Sequence, residues 1–542
     1  MTKSRAPLQA SYWSATQDIA LAETTCGGVL RAAAAETPDD VALIDADGAP
    51  GQRRRWTYAE LLSEAEAVAR GLVARLEPGS HVAVWSANSP EWVILQFGLA
   101  LAGMVLVTVN PAYRSQELGY VLRQSRARGI FHAREYRGLD MRQAIAEACA
   151  AEQLTLDFVA PMEDLAAFTP TGDEGQVLPE VKPRDPVMIQ YTSGTTGQPK
   201  GALLNHYSVT NNARMMAILK ELGRDTVNLA VAPLFHTAGC VAGVLGSVQT
   251  RGTLLLPSAF DAQSMLDLIE QEGATYTFAV PTMLIALLNG QAEQPRDLSS
   301  LRTVFSGAAT VPVEVVHRVE AEFGARLIIG YGQTETSPAI THTRLDDAAI
   351  DKSETIGQPL PQVEVKIVDP ESGETLPVGV PGELCTRGFL VMMGYFEMPE
   401  ATAATIDADG WLHTGDLCSM DERGFCRITG RLKDMIIRGG ENIYPREIEE
   451  VLHAHPAIAD VAVIGVPDDY WGESVAAVFS VVGDVEVSGE ALREYVTARV
   501  ARHKAPVHWI ALQAIPATAS GKLQKFRLVE MYRAGELEAY RV

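Results

Sequence analysis

The 542-residue sequence predicts an α/β protein: a large N-terminal domain of layered parallel α/β sheets with a small β subdomain, followed by a small α+β C-terminal domain. Three observations predict this. Helical stretches alternate with short Val/Ile/Leu-rich runs as far as Ile329, the pattern of parallel strands layered with helices. From Ile356 to Gly388 the texture changes to strands broken by Gly357, Pro359, Pro361, Pro370, Gly373, Pro377 and Pro381, which reads as an antiparallel β subdomain. Finally, the chain is too long for one core. The sharpest boundary is Gly430-Arg431-Leu432-Lys433-Asp434, dividing 1–432 from 433–542.

In chain order, Met1 to Ala20 mixes Lys3, Arg5, Pro7 and Asp18 with scattered apolar residues and lacks a signal peptide's continuous apolar core, so no export is expected. Ala32 to Ala35 is a helix-forming patch. Strands are expected at His81 to Trp85, Leu229 to Ala232, Thr253 to Leu256, Tyr276 to Val280 and Leu327 to Ile329. Trp92 to Val109 carries no charge and is long enough to imitate a membrane span. Gln96, Gly98 and Gly103 interrupt it, and Val105 to Val109 is β-branched, so it reads as a buried helix, a glycine turn and a buried parallel strand. Beyond the boundary, Met435-Ile436-Ile437, Ala459 to Ile464 and Val475 to Val481 read as strands, and Glu447 to Ala454 and Gly489 to Ala501 as helices. There is no internal repeat.

With 68 acidic against 45 basic residues the formal net charge is −23, which argues against nucleic acid and against a polybasic membrane anchor. Six cysteines are spread without a C-x-x-C pair and the histidines do not cluster with them, so neither zinc nor a disulfide framework is indicated. The expected compartment is the reducing cytoplasm.

The most chemically loaded stretch is Tyr191 to Gly201, with three glycines, four aliphatic hydroxyls and Lys200 in eleven residues. Glycines let backbone N–H groups face an anion, hydroxyls donate further bonds and a lysine adds point charge. Pro186 to Gln190 ahead of it reads as a strand and Asn205 to Leu219 after it as a helix, the setting of strand-to-helix phosphate loops. It is not a nucleotide-hydrolase P-loop, because Pro199 precedes Lys200 and Gly201 follows.

Four further segments follow in order. Pro233 to Gly239 sets Phe235 and His236 before small residues. Ser306 to Ala309 offers small residues to a flat ring, and Gly330 to Thr336 combines Tyr331 between glycines with Thr334 and with Glu335, a hard oxygen ligand. Trp411 to Leu417 places Asp416 beside a glycine turn, where a carboxylate can accept from ribose hydroxyls. Ile515 to Lys525 carries Lys522 on a glycine-flanked loop.

These segments in this order resemble the adenylate-forming superfamily of acyl-CoA synthetases, luciferases and peptide-synthetase adenylation domains, and the likeness runs from Thr25 to Val529. The resemblance implies that Thr192, Ser193, Gly194, Thr195, Thr196 and Lys200 surround the β and γ phosphates of ATP. Gly307, Ala308 and Tyr331 would frame the adenine, Thr334 would touch the α phosphate, Glu335 would hold Mg²⁺, and Asp416 and Arg431 would bind the ribose. Lys522 is the implied catalytic lysine, with Glu335, Thr334 and His236 in the catalytic set. Lys433 falls at the hinge of a mobile C-terminal domain, and Gly439 and Gly440 where backbone borders the pantetheine tunnel.

The implied activity is an ATP-dependent carboxylate:CoA ligase that makes an acyl-adenylate and then a thioester. Small residues after His236, and no lysine, arginine or aspartate between Leu229 and Gln249, suit the apolar tail of a medium-chain fatty or aryl acid. Packing of a buried helix would account for the same small residues. Two other readings stand beside it: a stand-alone adenylating enzyme loading a carrier protein, and a non-enzymatic scaffold, which the presence of Lys522, Glu335 and the glycine loop disfavours. A homodimer is compatible with the resemblance; nucleic acid and an integral membrane segment are not expected.

Overall fold

The computed structural model describes residues 6–168, 177–192, 199–307, 311–438, 441–468, 470–483, 485, 487–517 and 523–541. Two large sheets are parallel at their centres and antiparallel at one or both edges. The first has seven strands in the order Gly394–Tyr395, Lys200–Asn205, Pro186–Thr192, Val105–Val109, His81–Trp85, Gly129–His132, Phe158–Pro161. The second has nine, with Thr303–Gly307 and Arg326–Gly332 side by side and parallel near one end and Val41–Asp45 near the other.

Burial explains why these strands read as unbroken apolar runs. Every residue of Val105–Val109 is buried, because parallel strands lie on both sides of it and helices cover the sheet. The helix before it, Pro90–Leu101, is buried at every position but Glu91, and the Ser89 side chain caps it by accepting from the Trp92 N–H. Gly103 turns the chain at φ +65°. The uncharged stretch from Trp92 to Val109 is therefore the helix, turn and strand expected. Among the described residues no helix is long and apolar enough to cross a membrane.

The β subdomain is a five-stranded antiparallel sheet, Tyr12–Trp13, Val363–Val368, Gly382–Gly388, Leu412–Met420, Cys426–Arg431. It reaches further than the Gly/Pro texture suggested: it takes in Leu412 to Arg431 and borrows an edge strand from the start of the chain. A short 3₁₀ turn, Leu432–Asp434, leads into a separate six-stranded sheet centred on Gly472–Val481. Alternation along Ile458–Asp468 serves two faces of that sheet. Val461 and Val463 pack with Ile448, Leu452, Leu492 and Val496, whereas Ala462 and Ile464 pack with Leu528. Helices Pro445–His453 and Gly489–Thr497 thus cover one face and Lys525–Arg533 the other.

Several expectations change. The phosphate loop does not lead from strand to helix. Lys200–Asn205 forms a strand antiparallel to Pro186–Thr192, wedged between it and Gly394–Tyr395, so the next element after Pro186–Thr192 is a strand and not a helix. Ala202 and Leu204 are buried in that strand, and the helix His206–Leu219 begins only after it, with Asn205 as its cap. The strand expected at Leu229 to Ala232 lies at Val227–Leu229, and the helix from Gly489 ends at Thr497. The two C-terminal strands extend to Ile458–Asp468 and Gly472–Val481, because hairpin pairing continues past the apolar residues as far as Asp468 opposite Gly472.

Candidate active site

The site forms where the seven-stranded sheet, the nine-stranded sheet and the β subdomain meet. Thr192 and Lys200 face each other across this antiparallel pair, and the Thr192 hydroxyl donates to the Lys200 carbonyl at 3.4 Å. Ser193, Gly194, Thr195 and Thr196 lie outside the described residues. The Lys200 ammonium stands 5.0 Å from the centre of the Tyr395 ring. The Tyr395 hydroxyl donates to Glu335 Oε1 at 2.7 Å, and Glu335 sits in the one-turn segment Thr334–Thr336 with only 8% of its surface exposed. Glu335 is held by its backbone as well, its carbonyl accepting from the Met392 N–H. With one carboxylate oxygen committed to Tyr395, the other retains the acceptor capacity a hard cation such as Mg²⁺ requires.

A second constellation lies on the β subdomain side. Asp416 and Arg431 are paired across neighbouring strands, with Arg431 Nε 3.1 Å from Asp416 Oδ1. The other oxygen, Oδ2, accepts from the Tyr331 hydroxyl at 2.6 Å and from Gln333 Nε2 at 3.0 Å. Burial, then the Asp416 charge, pushes the Tyr331 phenol well above its ordinary pKa, so it stays a donor. Gly307 ends its strand opposite Gly330, and a Cβ there would lie 2.7 Å from the Gly330 carbonyl oxygen, which is why the edge is bare backbone. Ala308 lies outside the described residues.

His236 joins neither constellation. Its ring rests on Phe235 with centroids 4.3 Å apart, and burial lowers its pKa to about 4, so it is neutral at physiological pH. The segment after it is not an ordinary helix start. Ala238–Leu245 is a π-helix, with Gly239, Cys240, Val241, Gly243, Val244 and Leu245 buried and Ala238 and Ala242 partly exposed. Such wide turns inside helices often occur at functional sites. Lys433 lies in the turn Leu432–Asp434, two residues beyond Arg431. Gly439, Gly440 and Lys522 are outside the described residues; on either side of the Lys522 loop, Ala517 and Leu523 form an isolated antiparallel bridge.

Three side chains were not read from the sequence. Gln333 also donates to the Thr414 carbonyl, tying the Tyr331 segment to the Asp416 turn; its i, i+2 spacing from Tyr331 in extended chain was the available signal. Tyr395 gave none, being sixty residues from Glu335. Glu383 accepts from the Gly415 N–H at 3.0 Å and lies 2.7 Å from His413 Nδ1, bracing the turn that presents Asp416. The same nitrogen is 3.4 Å from Cys385 Sγ, although histidines and cysteines do not cluster along the chain. Antiparallel pairing of Gly382–Gly388 with Leu412–Met420 puts Cys385 opposite His413, a proximity that spacing along the chain conceals.

Residues 30–396 match the family model described as AMP-binding enzyme, and residues 447–522 match that of the AMP-binding enzyme C-terminal domain. The putative acyl-CoA synthetase YngI of Bacillus subtilis (strain 168) is 41% identical over 538 residues, covering 94% of this chain and 97% of its own. The mitochondrial medium-chain acyl-CoA ligase ACSF2 of Bos taurus is 33% identical, covering 96% and 89%. Among solved structures, ATP-bound MatB from Rhodopseudomonas palustris superposes with a TM-score of 0.84 at 30% identity, covering 94% of this chain and 99% of that one.

Proposed function

Because this chain belongs to the AMP-binding, adenylate-forming enzyme family and is an ATP-dependent acyl-CoA ligase, we propose that its acid is a medium-chain fatty or aryl carboxylate and its acceptor CoA. The observation that carries this reading is the stretch from Leu229 to Gln249, which has no lysine, arginine, aspartate or glutamate and includes the π-helix with its partly exposed Ala238 and Ala242. An amino acid's ammonium would be stranded against such a wall, whereas an alkyl or aryl tail is not. His236 beside it is neutral and adds no charge. The medium-chain ligase among the relatives supports the same reading.

In the first half-reaction the substrate carboxylate attacks the α phosphate of ATP and pyrophosphate departs. Positioning and charge stabilisation supply the rate. Thr192, Ser193, Gly194, Thr195, Thr196 and Lys200 cradle the β and γ phosphates. Gly307, Ala308 and Tyr331 frame the adenine, Asp416 and Arg431 hold the ribose, and Thr334 and Lys522 bond the α phosphate as charge builds on it. Glu335 would hold Mg²⁺, which when bound neutralises phosphate charge. In the second half-reaction the CoA thiol attacks the acyl carbon and AMP leaves. Rotation of 433–542 about Lys433 would withdraw Lys522 and bring Gly439 and Gly440 to the pantetheine arm. The cytoplasm is the proposed compartment, supported by six free cysteines.

Pyrophosphate release measured across a panel of acids, with and without CoA, tests the reading. Octanoate-length or aryl acids should give the highest turnover, with thioester formed only when CoA is present. Turnover confined to amino acids, or an adenylate that only a carrier protein consumes, would overturn it.

A further inference from the structure

Tyr395 touches both of the groups assigned to the triphosphate, although it lies in neither motif. It sits on the two-residue edge strand Gly394–Tyr395, paired with Ala202, so the strand that carries Lys200 also carries the backbone partner of Tyr395. The Tyr395 ring is 5.0 Å from the Lys200 ammonium, and its hydroxyl donates to Glu335 Oε1 at 2.7 Å. The ring is fixed from behind. The Tyr395 N–H donates to Thr402 Oγ1 at 2.9 Å, and Gly394, at φ +133°, leaves no room for a Cβ, which would lie 2.8 Å from Thr402 Cγ2. Tyr395 as a whole is 9% exposed.

We propose that Tyr395 is a positioning residue for the metal-bound nucleotide: its hydroxyl orients the Glu335 carboxylate toward the divalent cation, and its ring seats Lys200 beside the phosphates. The proposal rests on the reading of Glu335 as the Mg²⁺-holding residue. A carboxylate that ligates a metal is itself held by hydrogen bonds, and loss of such an outer partner typically lowers metal affinity ~10- to 100-fold. The ring contributes separately, because a lysine over an aromatic face is attracted by it and loses that platform when the ring is removed. One side chain therefore serves two functions that substitution can separate.

Calorimetric titration of the whole enzyme with ATP, in EDTA and over a series of Mg²⁺ concentrations, tests this without relying on turnover. Tyr395→Phe keeps the ring and should bind metal-free ATP like the wild type, while the Mg²⁺ concentration that half-saturates the tightening rises ~10-fold. Tyr395→Leu should in addition weaken metal-free ATP binding, by about fivefold. Glu335→Gln serves as the reference. If Glu335→Gln shifts the Mg²⁺ dependence and Tyr395→Phe does not, the proposal is wrong while the assignment of Glu335 survives. If Glu335→Gln shifts nothing, that assignment fails and takes the proposal with it. Unfolding midpoints of the variants report whether the packing survives, and Tyr395→Phe, which removes a single oxygen, decides the outcome if Tyr395→Leu does not fold.

Discussion

Lys220 is fully buried at the end of the helix His206–Leu219, with its ammonium 2.9 Å from the Tyr276 hydroxyl and 3.8 Å from the centre of the Phe305 ring. Among the described residues no carboxylate pairs with it, and burial lowers its pKa from 10.5 to about 7. The unfolded chain therefore binds this proton up to about pH 10.5 while the folded one releases it above about 7. Within that window the unfolded state holds more protons, so stability should rise with pH, by about 1 kcal/mol per pH unit. Lys220→Met should remove that slope. Urea unfolding of both proteins at pH 7, 8 and 9 would show the difference, and parallel curves would count against it. Asp416 offers a second test. Its Oδ2 already accepts two hydrogen bonds, so Asp416→Ala should both lower the unfolding midpoint and weaken ATP by about 2 kcal/mol through loss of a charged acceptor. Comparison with a dideoxyribose analogue separates the two effects: a mutant that still discriminates against the analogue would remove Asp416 from the ribose site. The Lys220 environment was not legible in the sequence. Tyr276, Phe305 and Lys220 come from three elements, and no spacing brings them together.

At the scale of elements, the turn that carries Asp416 is held from the neighbouring strand. Glu383 accepts from the Gly415 N–H, and the Thr414 hydroxyl donates to the Leu384 carbonyl at 2.7 Å. Glu383→Ala is expected to raise the KM for ATP several-fold with little change in kcat, and Glu383→Gln, which can still accept from Gly415, to restore it. Steady-state kinetics of both variants decide this, and a fall in kcat alone would contradict a role confined to nucleotide placement. Elements whose burial agrees with their pattern were legible. The apolar run at Val105–Val109 and the Gly/Pro-punctuated subdomain are examples, since burial on both faces and tight antiparallel turns leave distinct residue types. The strand Lys200–Asn205 was not, because a lysine, a glycine and four following residues carry no periodicity until a partner at Gly394–Tyr395 completes the sheet. The π-helix was equally hidden, since small apolar residues suit any buried helix.

For the whole molecule, the sheet that begins at Ile436 has its own two-faced core, joined to the preceding sheet through Leu432–Asp434. If the two half-reactions require different orientations of that unit, Lys433→Pro, which fixes φ and removes a backbone donor, should leave one step near wild-type speed and stall the other. Single-turnover measurements of adenylate formation and of CoA-dependent adenylate consumption check this, and two unaffected steps would exclude Lys433 as the pivot. The order of the motifs made the overall plan readable, whereas the contacts between them depend on chain segments that meet only in the folded state. The edge strand Tyr12–Trp13 is the extreme case. It pairs with Val363–Val368, and Ser11 and Tyr12 bond to Pro377 and Glu364 across 366 and 352 positions. During synthesis this strand precedes its partner by 352 positions and must wait, carrying Trp13, until Val363–Val368 has been made. The sheet that presents Asp416 therefore closes only after Cys426–Arg431 has joined it, and a nascent chain cannot gain stability from nucleotide there before that strand is made.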